Sequence, residues 1–237
     1  MDINCDMGES YGQFKIGNDK NIFPYISSCN IACGFHGGDP LHIEQTIQQA
    51  IRYNLRIGAH PSYPDLVGFG RRKMVLSAAE LRANIGYQVA AIKGMVESLG
   101  GQLSYVKPHG ALYNEMAIHQ TEALPVIEAI QRIDKKLSLM GLANSPLATF
   151  AQQQGIPFIA EAFADRQYND QGQLMPRSQE NAVITTPSLA VEQVVNIIEH
   201  QKVKTPKGEF TIQAQSICIH GDNPAAPAIL KALKKVL

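Results

Sequence analysis

Seven short β-rich runs recur along the chain, each followed by a polar loop and usually by a helical pattern. They are DINCD near 2–6, SSCNIAC at 27–33, LRIGAH at 55–60 and LSYVKPH at 103–109, then KLSLMGLAN at 136–144, IPFIAEAF at 156–163 and QSICIHGD at 215–222. Strands that alternate with helices must run parallel, because each helix carries the chain back to the starting edge. Apolar strands without strict alternation belong in a sheet covered by helices. No G-x-G-x-x-G turn marks a dinucleotide crevice. The expected fold is therefore α/β: a closed or nearly closed seven-stranded (β/α) barrel.

The helical segments carry their own punctuation. In PLHIEQTIQQAIRY, Leu41, Ile43, Ile47, Ala50 and Ile51 form one apolar stripe, as an amphipathic helix requires. Asp39 then Pro40 is a start signal: a side-chain acceptor, followed by a residue whose missing N–H is no loss at the first position. Ser77 with Glu80 reads as a capping box opening a long helix that Gly100 and Gly101 end. Weaker helices are expected at 120–134, 145–154, 188–202 and 224–236. The polar stretch 166–183, RQYNDQGQLMPRSQENAV, interrupts the alternation and reads as a lid or hairpin over the barrel mouth. No linker divides residues 1–237, so one domain is expected.

Charge excludes some functions. Lys and Arg number 21, and so do Asp and Glu, which leaves no cationic footprint for nucleic acid or for an acidic membrane surface. No apolar run reaches the roughly 20 residues of a membrane span. MDINCDMGES lacks the regions of a secretory signal, so a cytoplasmic location is expected. Cys5, Cys29, Cys33 and Cys218 are too sparse for a disulfide framework and poorly spaced for structural zinc; they read as buried thiols. Serine-esterase (G-x-S-x-G), zincin (H-E-x-x-H) and Walker P-loop patterns do not occur.

The chemistry collects at the ends of the runs, where a parallel barrel builds its active site. Reading only those ends gives Asn4, Asp6, Asn30, His36, His60, Lys107, His109, Asn144, Glu161, Asp165, Arg166, His220 and Asp222. A lone histidine is more often packed or solvated than catalytic. Four of the seven on one rim make a common site the better reading. ACGFHGGDP puts Gly37 and Gly38 before a helix start, either for an anion cradle or for a tight turn. VGFGRR puts Arg71 and Arg72 beyond flexible glycines, a pattern suited to bidentate carboxylate or phosphate binding. In VKPHG, Lys107 and His109 lie two apart, so both can face one side of an extended segment.

MDINCDMGESYG, SCNIACGFHGGDP, IGAHPSYPDLVGFGRR, VKPHGALYN and ICIHGDNP together resemble the LamB/YcsF family, from Met1 to Pro224. The resemblance implies a barrel of the glycoside hydrolase/deacetylase type. It also implies ATP-dependent opening of 5-oxo-L-proline to L-glutamate by one subunit of a 5-oxoprolinase, with subunits B and C as partners and Mg2+ arriving with ATP.

That reaction needs an anion clamp, a polariser for the lactam oxygen, a base for water and a donor for the leaving nitrogen. Arg71 or Arg72 with the Gly37 and Gly38 amides is the candidate clamp. Asn30, Arg166, His220 and Asp222 are further substrate-binding candidates. Lys107 is the candidate polariser or phosphate holder. Asp6, His36, His60, His109 and Glu161 supply the acid and the base. Asp6, His60 and His220, from three strands, are the candidate ligands if a transition metal is bound. Two alternatives remain: a stand-alone metal-dependent deacetylase or amidohydrolase using the same rim, and a non-catalytic ligand-binding barrel.

Overall fold

A computed structural model describes residues 1–236. The chain runs β1 (Asp2–Met7), α1 (Asp19–Ile22), a 3-10 turn (Phe23–Tyr25), β2 (Ser28–Ala32), α2 (Pro40–Arg52), β3 (Arg56–His60) and α3 (Ala78–Ser98). There follow β4 (Leu103–Val106), α4 (Gly110–Ile118), α5 (Gln120–Ile133), β5 (Ser138–Leu142), α6 (Leu147–Gln153) and β6 (Phe158–Phe163). Last come α7 (Pro187–His200), β7 (Lys202–Thr205), β8 (Gly208–Thr211), β9 (Ser216–Ile219) and α8 (Ala226–Leu233).

Strands β1 to β6 pair in sequence order, all parallel, and β9 joins β6 to β1 to close a seven-stranded barrel. All seven expected runs contribute a barrel strand. Asp39 accepts from the amides of Leu41 and His42 at the start of α2. Ser77 and Glu80 form the capping box of α3. Helix α1, the 3-10 turn, α4 and the strands β7 and β8 were not expected. Helix α4 buries Leu112, Tyr113, Met116 and Ala117 on one face, but Ala111 and the exposed Ile118 lie outside it and blur the apolar period. Strands β7 and β8 form an antiparallel hairpin outside the barrel, in a stretch too polar to read as apolar strand.

One expectation needs correction: the barrel strands do alternate. Ile3, Cys5 and Met7 of β1, Cys29 and Ile31 of β2, Ile57 and Ala59 of β3, and Ile217 and Ile219 of β9 are buried hydrophobics. They join one core with Ile43 and Ile47 of α2, Ile85 and Val89 of α3, Val126 and Ile130 of α5 and Ile229 of α8. Between them sit polar residues that point the other way, into the barrel. Asn4 Nδ2 reaches Glu161 Oε1 and Ser216 Oγ, both at 2.8 Å. Asn30 Nδ2 reaches Asn4 Oδ1 at 2.7 Å and Asp6 Oδ1 at 2.8 Å. Near the amino end, Asp2 accepts from Ser27 and Ser28 (2.7 and 2.6 Å) and from Ser216. The apolar shell therefore faces the helices, and a hydrogen-bonded polar column fills the centre. Such a column stabilises the fold only when its members satisfy one another.

Tyr105 crosses that column. Its hydroxyl donates to Asn30 Oδ1 at 2.5 Å, passing over β3, which lies between β2 and β4. Gly58 of β3 makes the crossing possible, because a Cβ there would fall inside the Tyr105 ring. Gly58→Ala should force the ring from its place and lower stability by about 1–3 kcal/mol. In a thermal melt that is a fall of about 2–4 °C per kcal/mol; an unchanged melting temperature would refute the packing account.

Candidate functional site

The polar column rises to a cluster at the carboxyl end of the barrel. At its centre is Lys107, 2% exposed. Its Nζ lies 2.9 Å from Asp6 Oδ1, 2.8 Å from Glu161 Oε1, 3.2 Å from Asn4 Oδ1 and 3.1 Å from Cys218 Sγ. Burial alone would drive the ammonium to lose its proton, but the carboxylates of Asp6 and Glu161 outweigh it and hold the group charged, its pKa well raised. Burial likewise raises the Asp6 carboxyl, and the adjoining His60 imidazole and Lys107 ammonium more than reverse this, so Asp6 stays ionised. Glu161 also accepts from Asn4 and from Tyr113 Oη at 2.8 Å.

Three imidazoles cap the cluster. His60 Nδ1–H donates to the carbonyl of Lys107 at 2.6 Å, and His109 Nε2–H donates to the carbonyl of Phe69 at 2.9 Å. A carbonyl can only accept, so both tautomers are fixed. The remaining nitrogens, His60 Nε2 and His109 Nδ1, face each other at 3.0 Å. His36 stacks on His109 with ring centroids 3.8 Å apart and planes within 6°. Its Nε2 lies 3.2 Å from Glu9 Oε1, while its Nδ1 has no partner among the described residues. Burial keeps His36 and His109 neutral, their pKa values well below the usual imidazole range. Burial beside Asp6 pushes Glu9 well up. Gly70 admits the stack: its φ is +66°, and a Cβ there would press on Ser62 Oγ, His109 and His36.

A cavity of about 500 Å³ opens above Asp6, His60, Lys107, His109 and His220. On the His220 side, Asp165 Oδ1 accepts from His220 Nδ1–H at 2.8 Å, and Asp165 Oδ2 accepts from the His220 amide and from Asn223 Nδ2. Burial raises Asp165, and the adjoining His220 ring and these hydrogen bonds bring it below its usual value. Phe163 stacks against the His220 ring at 5.2 Å. The imidazole is thus clamped with Nδ1 protonated, and Nε2 has no protein partner among the described residues. Arg71, Arg166 and Arg177 also line the cavity. Arg71 pairs with Asp222, and Arg177 NH1 is 3.4 Å from the same carboxylate. Two arginines sharing one carboxylate leave a net positive charge at the mouth, which attracts anions. Arg166 is buried, which with neighbouring Arg177 lowers its pKa to about 10. It donates to the carbonyls of Met175 and Ala182 and so secures the stretch 166–183. That stretch holds two isolated antiparallel bridges, Arg166 to Val183 and Tyr168 to Leu174, and its Leu174, Met175, Pro176 and Ser178 wall the cavity.

Several sequence-selected residues lie elsewhere. Arg72 pairs with Asp65 and is mostly exposed, away from the cavity. Gly37 and Gly38 do not line it either; they let the chain pass close to the backbones of Glu9 and Gly8. Asn30, His36 and Glu161 are buried and do not line the cavity. Asp222 stands behind Arg71 and Arg177. The Lys107 hydrogens are engaged by Asp6, Glu161, Asn4 and Cys218, so the residue acts as an internal counter-ion while also lining the cavity. Asp6, His60 and His220 do not form one donor group; the groups present are Glu9, His36, His60 and His109, and separately Asp6, Cys218 and His220. Glu9, Tyr113 and Arg177 were missed as site residues, and Asp165 was read only as a strand-end residue without a role. Glu9 lies three residues past Asp6 and was reachable by reading beyond the strand end.

Lys107→Met should strand Asp6 and Glu161 as unpaired buried acids and cost about 3–5 kcal/mol in chemical denaturation. Adding Glu161→Gln should restore part of the loss; no recovery would contradict the counter-ion role.

Comparison with known proteins agrees with this architecture. A model of the LamB/YcsF family matches residues 1–237. The A subunit of the 5-oxoprolinase of Acinetobacter baylyi is 49% identical over all of this chain and 94% of its own length. That of Bacillus cereus is 45% identical over 98% of this chain and 93% of its own. The crystal structure of the lactam utilization protein of Thermus thermophilus superposes with a TM-score of 0.92 at 39% identity, covering 99% of this chain and 96% of that one. The chain belongs to the LamB/YcsF family.

Proposed function

We propose that this chain opens the lactam ring of 5-oxo-L-proline to give L-glutamate, as the lactam-handling member of an ATP-driven 5-oxoprolinase that also requires subunits B and C. The observation that carries the reading is a clamped, cavity-facing imidazole, His220 on Asp165, sharing one small chamber with three arginines. Relatives named for 5-oxoprolinase and for lactam utilization set the substrate class.

5-Oxoproline is a five-membered lactam with one carboxylate. Arg71 and Arg177, both donors to Asp222, hold that carboxylate at the mouth. The lactam carbon then lies deeper, near Asp6, His60 and His220. An amide is a poor electrophile. In this reading ATP, with its Mg2+, transfers its γ-phosphoryl group to the lactam oxygen and leaves as ADP. A first water then adds to the activated carbon and the carbon–nitrogen bond breaks to leave an acyl phosphate, which a second water hydrolyses to L-glutamate and phosphate. His220 Nε2, whose lone pair Asp165 fixes toward the cavity, takes the proton from the first water and delivers it to the ring nitrogen. Lys107 acts through Asp6, holding it ionised and oriented. The stretch 166–183 serves as a lid that excludes bulk water while the activated lactam exists.

Glutamate release from 5-oxoproline, with ATP and each subunit omitted in turn, tests the reading. Turnover should require ATP and all three subunits. Equal turnover by the isolated chain without ATP would establish a stand-alone amidohydrolase instead. Saturable binding without turnover in the full assembly would leave a ligand-binding barrel. His220→Ala should lower kcat about 10²–10⁴-fold. Arg71→Ala should act mainly on the KM for 5-oxoproline, raising it about 10–100-fold; an unchanged KM would remove Arg71 from the clamp.

A further inference from the structure

We infer that His60 Nε2, His109 Nδ1 and Glu9 Oε1 form a binding site for one divalent transition-metal ion of the zinc type. The inference does not rest on the lactam-opening reading, and binding can be measured without turnover.

The argument begins with the two fixed tautomers. His60 and His109 each spend their only N–H on a main-chain carbonyl, so two bare lone pairs meet at 3.0 Å in a buried place. Two acceptors at that distance repel unless a positive centre lies between them. A proton shared between the two rings would have Asp6 Oδ2, 3.4 Å from His60 Nε2, as its counter-charge, but would leave Glu9 Oε1, 3.4 Å from the same His109 nitrogen, outside the arrangement. A metal ion satisfies both lone pairs at once.

The spacing fits such an ion. A tetrahedral set with bonds of about 2.0–2.1 Å holds its ligand atoms about 3.3–3.4 Å apart. His60 Nε2 to His109 Nδ1 is 3.0 Å, and His109 Nδ1 to Glu9 Oε1 is 3.4 Å. All these donors lie within 4.8 Å of one another. His36 is excluded as a ligand despite its proximity: its ring is parallel to that of His109, so their in-plane lone pairs cannot converge on one point. Its Nε2 instead reaches Glu9 Oε1 at 3.2 Å, an outer contact of the kind that orients a coordinating carboxylate. The carbonyls of Lys107 and Phe69 do the same for the two imidazoles. Both histidines line the cavity, so a fourth position would face it, on the side where Asp6 Oδ2 lies 3.4 Å from His60 Nε2. Two imidazoles and one carboxylate make a nitrogen-rich set suited to zinc rather than to magnesium or calcium.

The test uses the isolated full chain, stripped with EDTA and titrated with Zn2+ and Co2+ by calorimetry and elemental analysis. One equivalent of Zn2+ should bind, and Co2+ should give the intense visible absorption of a four-coordinate site. Glu9→Gln, nearly isosteric, and His109→Ala should each lose at least tenfold in affinity, with circular dichroism reporting retained fold. His36→Ala should lose about 10–100-fold. If His109→Ala fails to fold, Glu9→Gln alone decides. No stoichiometric binding to the stripped chain would overturn the assignment, and so would equal affinity in Glu9→Gln. Binding lost in Cys218→Ser but kept in Glu9→Gln would place the ion at the other donor group and equally overturn it.

Discussion

One ammonium group in a nearly sealed space sets the terms for the rest of this molecule. Lys107 extends from the end of β4 into a barrel whose axis is lined by oxygen and sulfur acceptors. Two buried carboxylates could not coexist there without it, and it could not stay charged without them. Its main-chain carbonyl meanwhile fixes the tautomer of His60. The same residue therefore neutralises the barrel interior and orients a neighbour at the rim. Fold and site meet in a single side chain.

The inverted arrangement of the strands follows from that choice. A barrel filled with aliphatic side chains would have offered Lys107 no partners. Asn4, Asn30, Tyr105 and Ser216 instead pass hydrogen bonds upward from Asp2 to Asp6, and the apolar residues turn outward to meet the helices. Burial on both faces is preserved, as a parallel sheet demands, with different chemistry on each. A polar column also holds Asp6 more rigidly than packing alone, because each bond in the chain restricts the next.

Much of this was written locally in the sequence. Asp39-Pro40 and Ser77-x-x-Glu80 announced helix starts because caps depend only on neighbouring residues, and seven apolar runs announced seven barrel strands. What escaped notice lacked a local signature. Helix α4 carries Ala111 and Ile118 outside its buried face, which blurs its period, and the hairpin of β7 and β8 has no apolar run. The polar residues of the strands were visible, but whether Asn30 or Glu161 reaches the cavity depends on depth along the axis, which spacing does not encode. Arg71 and Arg72 are adjacent and chemically equal on paper; Asp222 and Asp65, distant in opposite directions along the chain, send one to the mouth and the other to the surface. Asp165 gains its meaning only from His220, 55 residues away.

The mouth differs from the floor in how it is attached. Arg71, Arg177 and Asp222 sit on loops between regular elements, and none takes part in the column beneath. Substitutions there leave the buried charge balance untouched, whereas any change at Asp6, Glu161 or Lys107 disturbs it. In a barrel built this way the loops can vary what the mouth admits without unsettling the charges locked in the axis below.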